Sequence, residues 1–336
     1  MVPLSREIVV FMASELGREE VLRRLSDPYW FQAFGCVLGF DWHSSGLTTT
    51  VTGALKEGLK PVAKDLGLFV AGGKGATSRK TPAEITAVCE RTGLDPAPLV
   101  HASKISAKVD NSAVQDGYQL YHHAFVFTDQ GEWCIVQQGM NDANAMARRY
   151  HWLSEGLTTY VDEPHAAVCC DARGSETLNL VAHESAATRE ASAKLAAQRP
   201  EIVLQALGHL PTLDMPRRHE VRAELDVDPK RLQKVLVKTY EEAPADFEAL
   251  LGIEGVGAKT LRALALTSEL VYGTKASVRD PARYSFAHGG KDGTPFPVDR
   301  VTYDKTIEVL HRALNKAAID RSEKVAAFRR LAALQG

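Results

Sequence analysis

The sequence predicts an α+β protein in which an N-terminal and middle mixed α/β region with a small sheet precedes an all-helical C-terminal domain. Three observations carry this expectation. Apolar residues recur at the helical period in the first 25 residues and again after residue 229. Between them, the stretch 108–184 switches to short runs rich in aromatic and β-branched residues, and a glycine-bearing turn at 252–257 separates two amphipathic segments. Four parts follow: an N-terminal α/β region over 1–105, a mixed-sheet region over 106–186 expected to hold any chemistry, a helix and linker over 187–228, and a helical domain over 229–336.

Taken in order, Ile8, Val9, Met12, Leu16, Val21, Leu22 and Leu25 mark an opening amphipathic helix that Pro28 ends. Residues 31–40 are almost wholly apolar, Asp41-Trp42-His43-Ser44-Ser45-Gly46 interrupt them as a polar loop, and 47–59 resume a helical pattern. Residues 66–71 have strand length, Gly72-Gly73-Lys74-Gly75 follow as a loop, and Thr81-Pro82-Ala83-Glu84 start a helix with capping-box residues. Further on, 120–127 and 133–138 form a predicted hairpin turning at Thr128-Asp129-Gln130-Gly131. A helix is expected over 141–153 and short strands over 165–170 and 177–182. An alanine-rich helix over 187–210 leads to a linker marked by Pro211, Pro216 and Arg217-Arg218-His219. The remaining helices are expected over 229–241, 245–251, 258–272, 299–318 and 322–334.

Composition narrows the function classes. The chain has 336 residues, 45% hydrophobic and 24% charged, which is ordinary for a water-soluble protein large enough for two or three domains. No apolar run approaches the roughly 20 residues of a membrane span, and the N-terminus lacks a secretory pattern, so a cytoplasmic location is expected. Cys36, Cys89, Cys134, Cys169 and Cys170 are scattered without C-x-x-C spacing, which argues against a disulfide framework or a zinc knuckle and for reduced, buried thiols. A net charge of −2 excludes a polycation. Contact with nucleic acid would therefore come from local basic clusters, at 74–80, at Arg148-Arg149 and at 316–330.

The strongest motif is Leu251-Gly252-Ile253-Glu254-Gly255-Val256-Gly257-Ala258-Lys259-Thr260, which resembles the hairpin of the helix-hairpin-helix family. Glycines at 255 and 257 allow a tight turn and close approach of a phosphate. Exposed amides at the start of the next helix would donate to that phosphate, Lys259 would add charge, Thr260 lies in the same first turn, and Val256 would pack inward. A structural hairpin or a protein contact is the alternative. The lyase-active glycosylases of this family place a lysine where Lys259 stands and an aspartate downstream, and Asp299 follows in Pro297-Val298-Asp299-Arg300. The two stand 40 residues apart, about twice what that family's pattern implies, and Asp299 more simply caps the helix that follows Pro297.

Candidate chemistry gathers in the middle region. Asp110 and Asp116, with Asn111, Gln115, His122, His123, Gln137 and Gln138, surround the predicted hairpin. Carboxylate and amide oxygens suit Mg²⁺ and an imidazole favours Mn²⁺, so Asp110, Asp116 and His123 are the candidate ligands. Such a metal would polarise a phosphodiester, with Gln138 in the site and Lys108, Arg148 or Arg149 steadying the developing charge. The same residues serve as well as Asx-turn, cap or core groups. Lys74 in its glycine-rich stretch is a candidate backbone contact or a plain exposed turn, and Arg148-Arg149-Tyr150-His151-Trp152 mixes cations with aromatics as phosphate and base contacts do. Ser44 or Ser45 is expected to cap the helix after the Asp41-Trp42-His43 loop.

Several segments together carry a wider resemblance: Leu25-Ser26-Asp27-Pro28, Gly39-Phe40-Asp41-Trp42-His43-Ser44-Ser45-Gly46, residues 108–117, Val136-Gln137-Gln138-Gly139-Met140-Asn141, Ala147-Arg148-Arg149-Tyr150-His151-Trp152 and residues 284–293. Nearly the whole chain resembles the bacterial and archaeal proteins grouped as domain of unknown function 763, whose C-terminus is similar to a helix-hairpin-helix. Its members usually begin with a stretch resembling P-L-H-x-G, of which Pro3-Leu4 stand here. The leading expectation is a DNA-binding, divalent-metal-dependent nuclease acting on duplex, single-stranded or branched DNA. A glycosylase-type repair enzyme using Lys259 and Asp299 and a non-catalytic DNA-binding or scaffolding protein are the rivals, and a homodimer through Val325, Phe328, Leu331 and Leu334 is open.

Overall fold

Side chains buried on both faces of one sheet set the architecture. The computed structural model describes residues 1–40, 46–170, 176–206, 216, 218–219, 229–283 and 300–335. Helices α1 (Val2–Leu16), α2 (Arg18–Ser26), α3 (Pro28–Leu38), α4 (Leu47–Leu59) and the single-turn α5 (Ala63–Leu66) precede strand β1 (Leu68–Lys74). Helices α6 (Thr81–Thr92) and α7 (Pro96–Lys108) run into a π-helical turn, Val109–Ala113, and the short β2 (Val114–Gln115). Strands β3 (Gln119–Thr128), β4 (Trp133–Asn141), β5 (Met146–Leu153), β6 (Ala167–Cys169) and β7 (Leu178–Asn179) follow. The chain then forms α8 (Ala186–Ala196), α9 (Pro200–Ala206), α10 (Pro229–Glu242), α11 (Phe247–Gly252), α12 (Ala258–Tyr272), α13 (Arg300–Lys316) and α14 (Arg321–Gln335).

The α+β class holds: five strands form one antiparallel sheet in the order β1-β3-β4-β5-β6, and β2 pairs with β7. Because successive strand residues face opposite ways, Phe69, Phe125, Phe127, Ile135, Tyr150 and Trp152 share one face and pack with Ile85, Leu99, Leu195, Leu236, Leu250 and Leu264 of the helices α6, α7, α8 and α10–α12. Leu68, Val126, Cys134 and Val136 share the other and pack with Ile8, Phe34, Val51, Leu310 and Leu331 of α1, α3, α4, α13 and α14. Helices thus cover both faces.

Several expectations need correction. The segment 141–153 is not a helix: Met146–Leu153 is a strand, paired on both sides, because Tyr150 and Trp152 are buried on one face and Arg149 and His151 on the other. Gly17, at φ 92, splits the opening helix into α1 and α2, and Pro28 begins α3, with Asp27 accepting from the amides of Tyr29 at 2.8 Å and Trp30 at 3.0 Å. Gly72, Gly73 and Lys74 lie in β1 rather than in a loop, and a Cβ on Gly72 would come within 2.2 Å of the His123 carbonyl oxygen. Helix α6 starts where expected, but the capping box does not form: Thr81 Oγ1 donates to the Ser78 carbonyl, and Glu84 accepts from Gly72 N and Lys56 Nζ. Within 229–336, α10–α12 pack in one core and α13–α14 in the other.

All five cysteines are free and buried. No helix among the described residues is long and apolar enough to cross a membrane. In α14, Leu331 is buried and Phe328 and Leu334 pack on the N-terminal core, while Val325 is exposed. Leu310 is fully buried at the seam between the C-terminal and N-terminal helices, so Leu310→Ala is expected to cost about 2–5 kcal/mol. Chemical denaturation followed by near-UV and far-UV circular dichroism should show one shifted transition. Two separate transitions, with the N-terminal helices unaffected, would contradict this packing.

Candidate nucleic-acid interface and the buried polar core

Asp246 caps α11 by accepting from Ala249 N at 2.8 Å, and the helix ends at Gly252. Ile253 and Val256 then turn inward and are 5% and 3% exposed, anchoring the turn in the core beside Leu250, Leu251, Leu261 and Leu264. Gly252, Glu254, Gly255 and Lys259 are exposed, Gly257 is half-buried, and Thr260 is buried. Gly257 stands at the N-cap of α12, so no side chain caps the helix. Its first-turn N–H groups have no intrahelical acceptor and carry the positive end of a helix of 15 residues.

The two hairpin glycines differ in cause. Gly255 sits at φ 95, which favours glycine. Gly257 has φ −143 and ψ −173, extended backbone open to any residue, and a Cβ there meets nothing within 4 Å. Neither the turn nor the packing requires glycine at 257.

The hairpin is held from behind by two residues of the middle region. Lys108 Nζ donates to the carbonyl oxygens of Ile253 and Val256, both at 2.9 Å. Gln115 Nε2 donates to the Ala258 carbonyl at 2.8 Å, while its Oε1 accepts from Arg262 at 3.0 and 2.6 Å. Burial lowers the Lys108 pKa and brings that of Arg262 to about 10. Lys108 is therefore a hairpin support, not a cation facing a scissile phosphate.

The polar groups of the sheet form two buried networks. Asp110, 0% exposed, accepts from Gln137 Nε2 at 2.6 Å, Trp152 Nε1 at 3.0 Å and His165 Nε2 at 2.5 Å. Gln137 commits its nitrogen to Asp110, so its oxygen, 2.7 Å from His123 Nδ1, accepts; His123 Nε2, 2.9 Å from Ser103 Oγ, then accepts from that hydroxyl. Asp116 accepts from Arg148 at 2.8 Å, Tyr150 OH at 2.6 Å and Tyr118 N at 3.0 Å. Arg148 reaches on to Asp280 at 2.7 Å and lies over the Tyr118 ring. Burial raises the pKa of both carboxyls, opposed by His165 at Asp110 and by Arg148 at Asp116.

These placements correct the catalytic and metal assignments. Asp110 and His123 lie in one network, joined through Gln137, and Asp116 lies in the other; protein partners engage all three, and the structure does not bring them together as a ligand set for Mg²⁺ or Mn²⁺. Among the described residues, no group of three or more His, Cys, Asp or Glu side chains could hold a metal ion. Gln138 donates to Tyr121 OH at 2.5 Å. Arg148 and Arg149 are 0% and 1% exposed, too deep to meet a phosphate; Arg149 donates to Gln32 Oε1, the Pro28 carbonyl and His151 and lies over Phe31. Their burial inside a strand is hidden in a sequence where arginine signals surface. Lys74 is exposed at the end of β1. Sequence reasoning passed over His165, Tyr118, Ser103 and Asp280, which are distant in the chain and carry no local signature. Residues 41–45, 284–293 and Asp299 lie outside the described residues.

Removing the cation of the Asp116 network should expose its cost. Arg148→Met leaves Asp116 and Asp280 facing each other without their shared partner and is expected to lose about 3–5 kcal/mol in urea denaturation. A loss under about 1 kcal/mol would contradict the pairing. Burial pushes His122 down to about 3 from an ordinary 6.5, so in that window the unfolded chain binds the proton and the folded chain does not. Asp110 and Asp116, with raised values, act in the opposite sense, so His122 is isolated by comparison with His122→Gln. The stability of the wild type relative to that variant should fall below pH 6.5 with a slope approaching about 1.4 kcal/mol per pH unit. A gap that does not change between pH 7 and 5 would contradict a neutral, buried His122.

No curated protein and no solved structure matches the chain. The family described as protein of unknown function (DUF763) matches residues 1–298, and the chain belongs to that family.

Proposed function

We propose that this protein binds the sugar-phosphate backbone of DNA through the α11–α12 hairpin. The observation that carries the proposal is Gly257: a glycine at the uncapped start of a long helix, where neither backbone conformation nor packing asks for one. A residue without a side chain at that point serves close approach from outside. A phosphate there would accept from the first-turn amides of α12 and meet the charge of Lys259, the contact being to backbone and so independent of base sequence. Glu254, 94% exposed and 3.3 Å from Lys238, places a carboxylate at the hairpin tip and would temper the affinity.

The proposal is one of binding. A nuclease using Mg²⁺ or Mn²⁺ on Asp110, Asp116 and His123 draws no support from a set of groups already engaged by the protein. The glycosylase pairing rests on Lys259 alone, since Asp299 lies outside the described residues.

One substitution separates a binding hairpin from a merely structural one. In Gly257→Asp the new carboxylate caps α12 and complements its dipole, so stability should hold or rise by up to about 1 kcal/mol. The same carboxylate occupies the amides and repels phosphate, so affinity for an oligonucleotide duplex should fall at least about tenfold at moderate salt. Unchanged affinity in this folded variant would overturn the proposal. Lys259→Gln should weaken binding equally across sequences and reduce the slope of log affinity against log salt by about one unit.

A further inference from the structure

Gln119, Leu120 and Tyr121, three residues in succession, line one cavity of about 410 Å³ where β1 and β4 end and β3 begins. On a regular strand neighbouring side chains point to opposite faces, and a break in the pleat lets successive ones turn to one side. The break is present. Leu120 pairs with Gly139 and His122 with Gln138, which leaves Tyr121 without a partner across the ladder. A bulge of this kind re-aims a side chain and is characteristic of strands beside binding sites. The Tyr121 hydroxyl is fixed by Gln138, itself 1% exposed, and Lys74 Nζ lies 5.8 Å from the ring centroid.

The chemistry of the lining is that of a nucleotide site. Tyr121, Leu120 and Met140 offer an aromatic ring and apolar surface to a base, and Asp142 is an acceptor for a base amino group. Lys74 opens an exposed basic stretch with Arg79 and Lys80, and none of the three forms an ion pair with a described residue. The nearby Glu84 is already paired with Lys56. The volume lies within the few hundred Å³ of small-ligand pockets. A single structural element joins this cavity to the hairpin: Lys108 holds the hairpin carbonyls, and Asn111, in the π-helical turn that follows it, accepts from the backbone N–H of Leu120.

We infer that the cavity takes one unpaired nucleotide of the strand held by the hairpin, its base against Tyr121, Leu120 and Met140 and its phosphate on Lys74. A base within an intact duplex has no free face to offer, so the ligand is a single-stranded, bulged or extruded nucleotide. The inference rests on the proposed function for the strand, while the cavity and its cations stand apart from the hairpin.

The test is fluorescence anisotropy on the full chain with three labelled probes: a paired duplex, the same duplex with a one-nucleotide bulge, and a single strand. Lys74→Glu, at an exposed position, and Tyr121→Ala should each weaken the bulged and single-stranded probes at least about fivefold and leave the paired duplex unchanged, the stacking share being that of one base. Gly257→Asp should weaken all three. If neither cavity variant affects the bulged or single-stranded probe, this inference fails while loss in Gly257→Asp keeps the hairpin reading. Equal loss on paired and bulged probes would mark only a basic surface and also overturns it. If Gly257→Asp is silent while the cavity variants retain their selective effect, the hairpin reading fails and the cavity is upheld as the nucleotide site. Binding of free adenosine monophosphate that depends on Tyr121 and is not displaced by single-stranded DNA would overturn the strand as its source.

Discussion

The hairpin depends on one half-buried ammonium. Lys108 satisfies the carbonyls of Ile253 and Val256, two backbone acceptors of the tight turn, and does so from the end of α7, an element of the core that covers the sheet. Gln115 repeats the arrangement one step along, on the Ala258 carbonyl. With these oxygens held inward, the outward-facing backbone at the start of α12 is set by a rigid support and not by the turn alone. A hairpin tip on its own would bind weakly because ordering it would cost conformational entropy. Lys108 and Gln115 hold the hairpin ordered without any ligand.

The sheet serves a different purpose from the one its residue types suggest. Asp110, Asp116, His123, Arg148 and Tyr150 look like catalytic machinery in a list, but the fold spends their hydrogen-bonding capacity on one another. Buried ion pairs of this sort add little net stability and strongly disfavour any arrangement in which a partner is missing. Here they tie together α7, the π-helical turn, β3, β4, β5 and, through Asp280, the segment after α12. The residues that fix the hairpin and those that fix the sheet alternate along 108–116, so the two are set in one register.

Much of the helical content was legible from periodicity. Helix α12 spans the expected Ala258–Tyr272 and α4 the expected Leu47–Leu59: a glycine precedes each, α4 buries one face, and α12 is buried all round over Thr260–Ser268. The β3–β4 hairpin was equally visible because Gly131 marks its turn. Strand β5 was not: it is buried on both faces and carries Arg148, Arg149 and His151 inside, so the alternation that betrays a half-exposed strand is missing. The concentration of polar residues was legible in the sequence, but His165, which pairs with Asp110, and Asp280, which pairs with Arg148, come from far along the chain. The cavity was illegible for a related reason. A bulge at Tyr121 depends on register with β4, which no local pattern in residues 119–121 records.

The central claim is that backbone amides at the start of α12 receive a phosphate. It is tested most directly by amide chemical shifts of the isotopically labelled protein during titration with a short DNA duplex. The account predicts progressive, saturable shifts at Gly257, Ala258 and Lys259, the largest in the chain, and their suppression by added salt. Shifts clustered elsewhere, with those three amides unmoved at saturation, would contradict it.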